Sequence, residues 1–320
     1  MATPRAGWLG ALVVIVGATL FGSLGVAARI AYEAGVEPLA FVAWRGAFGA
    51  IGLIAVVLAF GGPRAAWASL MGASRPAKVA LGLGVIAGAG VNLSIFFAFD
   101  LTTVALALLG FYTFPAMVAA ASALLGHEPL GPTRLVALGL ALAGMVAVVL
   151  GGVGATDPAK AGWVGILLGL AAAAFQTLFV LSSRGYTAIR ADAAIATILA
   201  GSAALGAAVT VAVAGPSALL LPLHEPRVLV LLAGVGLLAA ALPSVLFLTG
   251  IRWIGGVRTG ILMLIEPVVG VALAAALLNE GLQPLQIVGG TTILVAALIV
   301  QGAPRPPAEA GIVVPAPGGP

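Results

Sequence analysis

Long apolar runs, separated by short segments rich in proline, glycine or charge, dominate the chain. A helix that crosses a membrane needs roughly 17 to 25 mainly apolar residues, and ten runs satisfy this requirement. The runs begin near Leu9, Leu39, Val79, Val104, Leu135, Trp163, Ala193, Val228, Val257 and Leu285. The pattern therefore predicts an all-α membrane protein with ten transmembrane helices.

The chain contains two related halves. The positions that match at one fixed spacing are Pro115, Glu128, Leu130 and Pro132 in the first half, and Pro267, Glu280, Leu282 and Pro284 in the second. Such internal repetition indicates two tandem units. We predict a first repeat over residues 1–154 (spans one to five), a linker over 155–161, a second repeat over 162–301 (spans six to ten) and a disordered Pro/Gly-rich tail over 302–320.

The distribution of Lys and Arg predicts the orientation of the spans, because positive residues in short loops stay on the cytoplasmic side. With the N-terminus inside, ten of these residues fall in inner segments and three in outer loops. We therefore expect both termini in the cytoplasm. Since five spans per repeat is an odd number, the second repeat enters the membrane from the opposite side, which makes the halves inverted repeats.

Composition supports the membrane class and excludes several partners. The hydrophobic fraction is 62% and the charged fraction 8%, against about 45–50% and about 25% in soluble domains. The net charge is only +4, and no Lys/Arg cluster is present that could neutralise the phosphates of a nucleic acid. The absence of cysteine excludes disulfides and thiolate metal sites. We expect neither a cofactor nor a metal ion.

Several local motifs carry a resemblance to a known family. They are Gly22-Ser23 in span one, Trp44-Arg45-Gly46-Ala47-Phe48 in span two, the run from Pro115 to Glu128, Ile265-Glu266-Pro267-Val268, and Leu278-Asn279-Glu280. Over residues 5 to 301 the chain resembles the EamA-type transporters of the drug/metabolite transporter superfamily. The resemblance implies two five-helix inverted repeats around a central cavity. It also implies a secondary transporter of the inner or plasma membrane that exports small metabolites, such as amino acids or drugs, by alternating access.

Two charged residues lie inside predicted spans. Glu266 is about 13 Å from the cytoplasmic end of span nine, where a charged carboxylate costs about 2.5 to 3.5 kcal/mol. We predict a proton-coupling or substrate-ammonium site there, with a structural hydrogen bond between helices as the alternative. Arg45 lies in span two, and three roles are open: an ion pair with Glu266, a contact to a substrate carboxylate, or extension to the outer lipid headgroups.

Proline and polar residues within the spans give further candidates. Pro115 and Pro267 interrupt their helices and predict either hinges for alternating access or static kinks. Residues predicted to line a substrate cavity are Thr19, Ser23, Asn92, Phe96, Tyr112, Thr113, Gln176 and Ser244. The alternative for Ser and Thr is a hydrogen bond to their own helix. Glu128 and Glu280 end their helices. We predict that each latches its loop to span five or ten and so closes one end of the bundle, with a solvated loop charge as the alternative.

The remaining function classes are weighed on the same residues. An enzyme is not expected, because the chain has two histidines, both in loops, and no clustered carboxylates. A channel would need rings of like charge or a repeated filter sequence. We expect a small-molecule substrate and the lipid bilayer as partners. The sequence leaves open proton coupling, a homodimer, and the alternatives of a non-transporting scaffold or a channel.

Overall fold

The structure is a computed structural model that describes residues 4–101, 104–128, 130–153, 163–278 and 282–302. Within these ranges every regular element is a helix, and ten spans are long and apolar enough to cross a membrane. These spans cover Gly7–Glu33, Pro38–Phe60, Arg75–Ala98, Ala107–Leu124, Pro132–Gly151, Trp163–Tyr186, Ala191–Ala214, Pro226–Ile254, Gly256–Leu277 and Pro284–Gln301. The predicted all-α, ten-span architecture is confirmed.

The described residues form sixteen α-helices, of which fourteen build the spans and two, the fourth and the eleventh, lie between spans. They are α1 (Pro4–Gly22), α2 (Leu24–Glu33), α3 (Pro38–Phe60), α4 (Pro63–Met71), α5 (Arg75–Leu101), α6 (Val104–Phe111), α7 (Phe114–Leu124), α8 (Pro132–Val153), α9 (Trp163–Ser182), α10 (Ala191–Ala214), α11 (Leu221–His224), α12 (Pro226–Gly236), α13 (Leu242–Ile254), α14 (Gly256–Met263), α15 (Ile265–Leu278) and α16 (Pro284–Gly302).

Spans four and nine are interrupted at corresponding places. In span four, α6 ends at Phe111 and α7 begins at Phe114, and in span nine, Leu264 separates α14 from α15. Pro115 and Pro267 each lie in the first turn of the second helix, where proline fits because its missing N–H has no partner to lose. Each proline therefore begins a new half-helix, and their role as hinges stays a prediction.

The helices of the two halves pack in a reciprocal pattern. Span three packs along span six (α5 on α9), and span eight packs along span one (α13 on α1). Span four packs on span six through α6 and α7, as span nine packs on span one through α14 and α15. Spans two and seven pack on each other, as do spans five and ten. This exchange of neighbours agrees with two similar halves, and their inverted orientation stays a prediction.

Glycine allows close contact between spans five and ten. A Cβ atom placed on Gly289 of α16 would lie 2.5 Å from the carbonyl oxygen of Gly144 on α8, and one on Gly144 would lie 2.7 Å from the carbonyl oxygen of Gly289. Neither position has room for a side chain. The two backbones therefore meet directly, as small residues permit in membrane helices.

Some of the predicted boundaries cannot be compared with the structure. The linker over 155–161, Glu280, and residues 303–320 of the predicted tail lie outside the described residues. Gly302, which we assigned to the tail, is the last residue of α16. The final helix is thus one residue longer than the sequence pattern indicated.

Candidate functional site

The interruptions of spans four and nine meet in the interior of the bundle. Helix α7 packs against α14, with Gly260 of α14 beside Pro115. Tyr112, at the break in span four, shares a hydrogen bond with Glu266, in the first turn of α15. Tyr112 is buried and Glu266 is partly exposed. A polar contact therefore joins the two broken spans, one from each half.

Arg45 is held inside the bundle by α5. Only 6% of the residue is exposed, and its Nη2 donates a hydrogen bond to Oδ1 of Asn92. The amide nitrogen of Asn92 donates in turn to the Gly88 carbonyl at 2.7 Å. The guanidinium carbon lies 5.9 Å from the ring centroid of Phe96, within the range of a cation–π contact. This position argues against extension of Arg45 to the lipid headgroups.

Arg45 and Glu266 bring opposite charges together from the two halves. Arg45 lies on α3 and Glu266 on α15, and each charge acts on the other. The hydrogen bond of the guanidinium goes to Asn92 and not to Glu266. The two charges are therefore near enough to interact while each keeps its own polar partner. Such an arrangement can bind a small molecule that carries both a negative and a positive group.

Three of the predicted cavity residues bond within their own helices. The hydroxyl of Thr19 donates to the Ile15 carbonyl at 2.9 Å, and that of Ser23 donates to the Leu20 carbonyl at 2.7 Å. The hydroxyl of Thr113 donates to a carbonyl in the preceding turn at 2.6 Å. Ser23 and Thr113 lie at the breaks in spans one and four, so their hydroxyls help to satisfy backbone groups that the interruptions free.

The remaining predicted residues divide into two groups. Asn92, Phe96 and Tyr112 surround the charged pair described above. Gln176 on α9 and Ser244 on α13 are partly buried. Their place on spans six and eight keeps them as predicted lining residues.

Sequence reasoning did not include Tyr32 in this site. Tyr32, on α2, interacts electrostatically with Arg45. Its ring meets that of Phe41 edge-on at a centroid distance of 5.6 Å, and Phe41 lies 5.7 Å from Phe96. A tyrosine near the end of a span usually lies at the membrane–water interface, so its position along the chain did not point to this site. The four-residue spacing of Phe41 and Arg45 on α3 places both on one helix face, which was a usable signal for Phe41 but not for Tyr32 on α2.

A second polar cluster surrounds Glu128, which is 2% exposed. Its carboxylate accepts hydrogen bonds from the backbone N–H of Gly256 at 3.0 Å and of Val257 at 3.3 Å, in the first turn of α14. Arg184 donates to Oε1, and Nη1 of Arg134 lies 3.7 Å from Oε2. A helix N-terminus carries partial positive charge. The buried carboxylate is therefore compensated by one helix end and two guanidinium groups.

Because Glu128 is buried and paired, it is not a solvated loop charge. Its contacts also reach further than the attachment predicted for the latch. The expected attachment to span five is present through Arg134 on α8. The sequence did not predict the backbone contacts to span nine. Gly255, which separates α13 from α14, has φ +84° and ψ 160°, a conformation essentially restricted to glycine. This residue lets α14 begin directly after α13, so that its first amides reach Glu128.

Ten apolar spans define a multi-pass membrane protein, with Glu266 at the interruption of span nine and Arg45 buried in span two. Residues 8–150 match the model of the EamA-like transporter family, which agrees, over this part of the chain, with the resemblance found in the sequence.

Solved structures share the fold. One, titled "Crystal structure of protein", has 20% sequence identity and a TM-score of 0.74, and the match covers 91% of this chain and 95% of that chain. At this identity the similarity shows the fold alone. A comparison with curated proteins gave no match.

Proposed function

We propose that the protein is a secondary transporter of the plasma (inner) membrane that exports a small metabolite, such as an amino acid or a drug, by alternating access. The observation that carries this proposal is the electrostatic interaction of Arg45 with Glu266, one from each half, beside the interrupted spans four and nine. Charges inside a bilayer are costly and usually mark a substrate or ion pathway. Interrupted helices are typical of transporter binding sites.

Two further observations support alternating access. The reciprocal packing of the halves fits inverted repeats, in which exchange of the two conformations moves the opening across the membrane. The Glu128 cluster lies at the end of the bundle that the Lys/Arg distribution assigns to the cytoplasm. We propose that this cluster is a latch that closes the cytoplasmic end.

Glu266 is also the proposed coupling residue. It is partly exposed, so a proton or a substrate ammonium group can reach it, and Tyr112 and Arg45 are the polar groups that act on it. If binding of a proton and of substrate compete at this carboxylate, a pH gradient drives export. Phe114 is the residue at the corresponding position of the first half, so the carboxylate is not duplicated.

Reconstitution into proteoliposomes tests the proposal. Uptake of amino acids and cationic drugs is measured with and without an imposed pH gradient, for the wild type and for Glu266→Gln. We expect saturable, pH-dependent flux in the wild type. The variant should fold and lose the pH dependence, because glutamine keeps the size and hydrogen-bonding capacity of the side chain but cannot bind the proton.

Glu33→Gln is the matched control. Glu33 is a carboxylate at the end of the bundle opposite the Glu128 cluster. Its side chain is 66% exposed and forms an ion pair with Arg29 at 3.1 Å. This variant should keep the wild-type pH profile. An unchanged profile in Glu266→Gln would remove the coupling role. Absence of any flux for every compound would favour a scaffold, and flux that does not saturate would favour a channel.

A further inference from the structure

Two buried polar atoms next to the proposed site lack a hydrogen-bond partner among the described residues. They are Nε of Arg45 and the hydroxyl oxygen of Tyr32. Arg45 is 6% exposed, and the two groups interact electrostatically. An unpaired buried polar group destabilises a protein, and native structures contain few of them. Two such groups on neighbouring helices therefore indicate that something else satisfies them.

The surroundings of these atoms are defined on several sides. Asn92 fixes the Nη2 end of the guanidinium, which leaves the Nε edge without a partner in the described part of the chain. The rings of Tyr32, Phe41 and Phe96 follow one another at centroid distances of 5.6 and 5.7 Å. A cationic donor and a hydroxyl thus lie beside a continuous aromatic wall.

We propose that Arg45 and Tyr32 form a subsite for an oxyanion of the transported molecule, either a carboxylate or a phosphate, whose apolar part packs on the aromatic wall. Arg45 supplies a charged N–H donor and Tyr32 a neutral O–H donor, and both suit an anionic oxygen. The inference rests on the proposed function and narrows its substrate class to small organic anions and zwitterions. Glu266 then faces the positive group of a zwitterion.

The Glu37 carboxylate also acts on Tyr32 but is already occupied. Its Oε2 accepts hydrogen bonds from the backbone N–H of Leu39 at 2.8 Å and of Ala40 at 3.3 Å, at the start of α3. It is therefore a helix cap. The Tyr32 hydroxyl keeps its hydrogen available for a ligand.

Tyr32→Phe is the variant that tests the subsite. It removes only a buried hydroxyl without a partner in the described chain, so the ligand-free protein should be as stable as the wild type or more stable. Binding is measured on purified protein with two matched pairs of probes: 3-phenylpropionate against 3-phenylpropanamide, and phenyl phosphate against phenol. We expect the wild type to prefer at least one anion over its neutral counterpart. Tyr32→Phe should reduce affinity for that anion about tenfold, the loss typical of a hydrogen bond to a charged group, and leave the neutral compound unchanged.

Tyr186→Phe is the matched control. The Tyr186 hydroxyl is also buried, but it interacts with Ser182 and with Arg252, whose charge in turn interacts with Asp192. This variant should leave the anion preference intact. Arg45→Lys keeps the charge and removes Nε, and it should lower anion affinity without reversing the preference.

The outcomes separate the subsite from the transport activity. A wild type that does not prefer either anion, or a Tyr32→Phe variant that loses affinity equally for the anion and its neutral counterpart, would overturn the subsite even where liposome flux is saturable. A selective anion preference that depends on Tyr32, in a protein that shows no flux, would support the subsite and contradict the proposed transport. The probe pair that shows the preference identifies the ligand group as carboxylate or phosphate.

Discussion

Glu128 shows how a single buried carboxylate can connect distant parts of the chain. Its partners are two arginines and two backbone amides, on spans five, six and nine. Because the side chain is 2% exposed, each of these contacts replaces water. Removal of one partner from a buried ion pair costs about 3 to 5 kcal/mol. Glu128 is therefore the proposed latch at this end of the bundle.

We predict that Glu128→Gln opens the cytoplasmic end. The natural chain has no cysteine, so a thiol introduced by Thr259→Cys, at a site on α14 that is 0% exposed, would be the only one to react. In an otherwise wild-type chain this thiol should be protected. With Glu128→Gln it should react at least about tenfold faster with a membrane-impermeant maleimide, because a loss of about 1.4 kcal/mol from the free energy of closure already changes the open population tenfold.

Asp192→Asn is the control for this measurement. Asp192 pairs with Arg190 at the same end of the bundle, at 3.1 Å between Nε and Oδ1, but both side chains are partly exposed. Exposed ion pairs contribute about 0 to 1 kcal/mol, so this variant should leave the thiol protected. Equal labelling in both variants would contradict a latch at Glu128.

At the scale of elements, the structure combines short half-helices with long helices in close contact. The half-helices of spans four and nine bring Tyr112 and Glu266 together. Spans five and ten are single helices that meet through glycine. The close glycine contact therefore lies between uninterrupted spans, whereas Tyr112 and Glu266 lie at interruptions.

We predict that Gly144→Val destabilises the bundle. Its Cβ would lie 2.7 Å from the carbonyl oxygen of Gly289 and 2.9 Å from a side-chain atom of Ile293, so α8 and α16 must separate. Such overpacking typically costs on the order of 1 to 3 kcal/mol, which thermal unfolding in detergent would detect. Gly139→Val, on the same helix with nothing within 4 Å of the added atom, should change the unfolding temperature much less. A similar decrease for both variants would assign the effect to helix propensity.

At the scale of the whole molecule, orientation in the membrane decides how the halves relate. Two similar units of five spans each can exchange roles only when they point in opposite directions. The reciprocal neighbours of spans one and six, and of spans four and nine, agree with this relation. The Lys/Arg distribution predicts that the Glu128 cluster lies on the cytoplasmic side.

Reporter fusions test this orientation directly. Alkaline phosphatase, which is active only outside the cytoplasm, should be inactive when fused after Arg305 and active when fused after Lys160. The reason is that five spans separate Lys160 from the predicted cytoplasmic N-terminus, and five more separate Arg305 from Lys160. If the enzyme were active at both points, or inactive at both, five spans between them would be excluded. The inverted arrangement would then be excluded as well.

The sequence predicted the spans well and the site in part. Span length follows from the thickness of the bilayer, so a continuous apolar run is enough to find each helix. Glu266 and Arg45 stood out because charge is rare inside such runs. Tyr32 and the contact of Glu128 with Gly256 could not be predicted in the same way. They depend on which helices become neighbours, and a period along one helix contains no information about that.

The Glu128 cluster has a consequence for the order of events during biosynthesis. Arg184 is 56 residues further along the chain, and Gly256 is 128 residues further. Until both have emerged from the ribosome and entered the bilayer, the carboxylate has to remain hydrated or rely on Arg134. The end of the bundle around Glu128 can therefore reach its final dry state only after most of the polypeptide has been made.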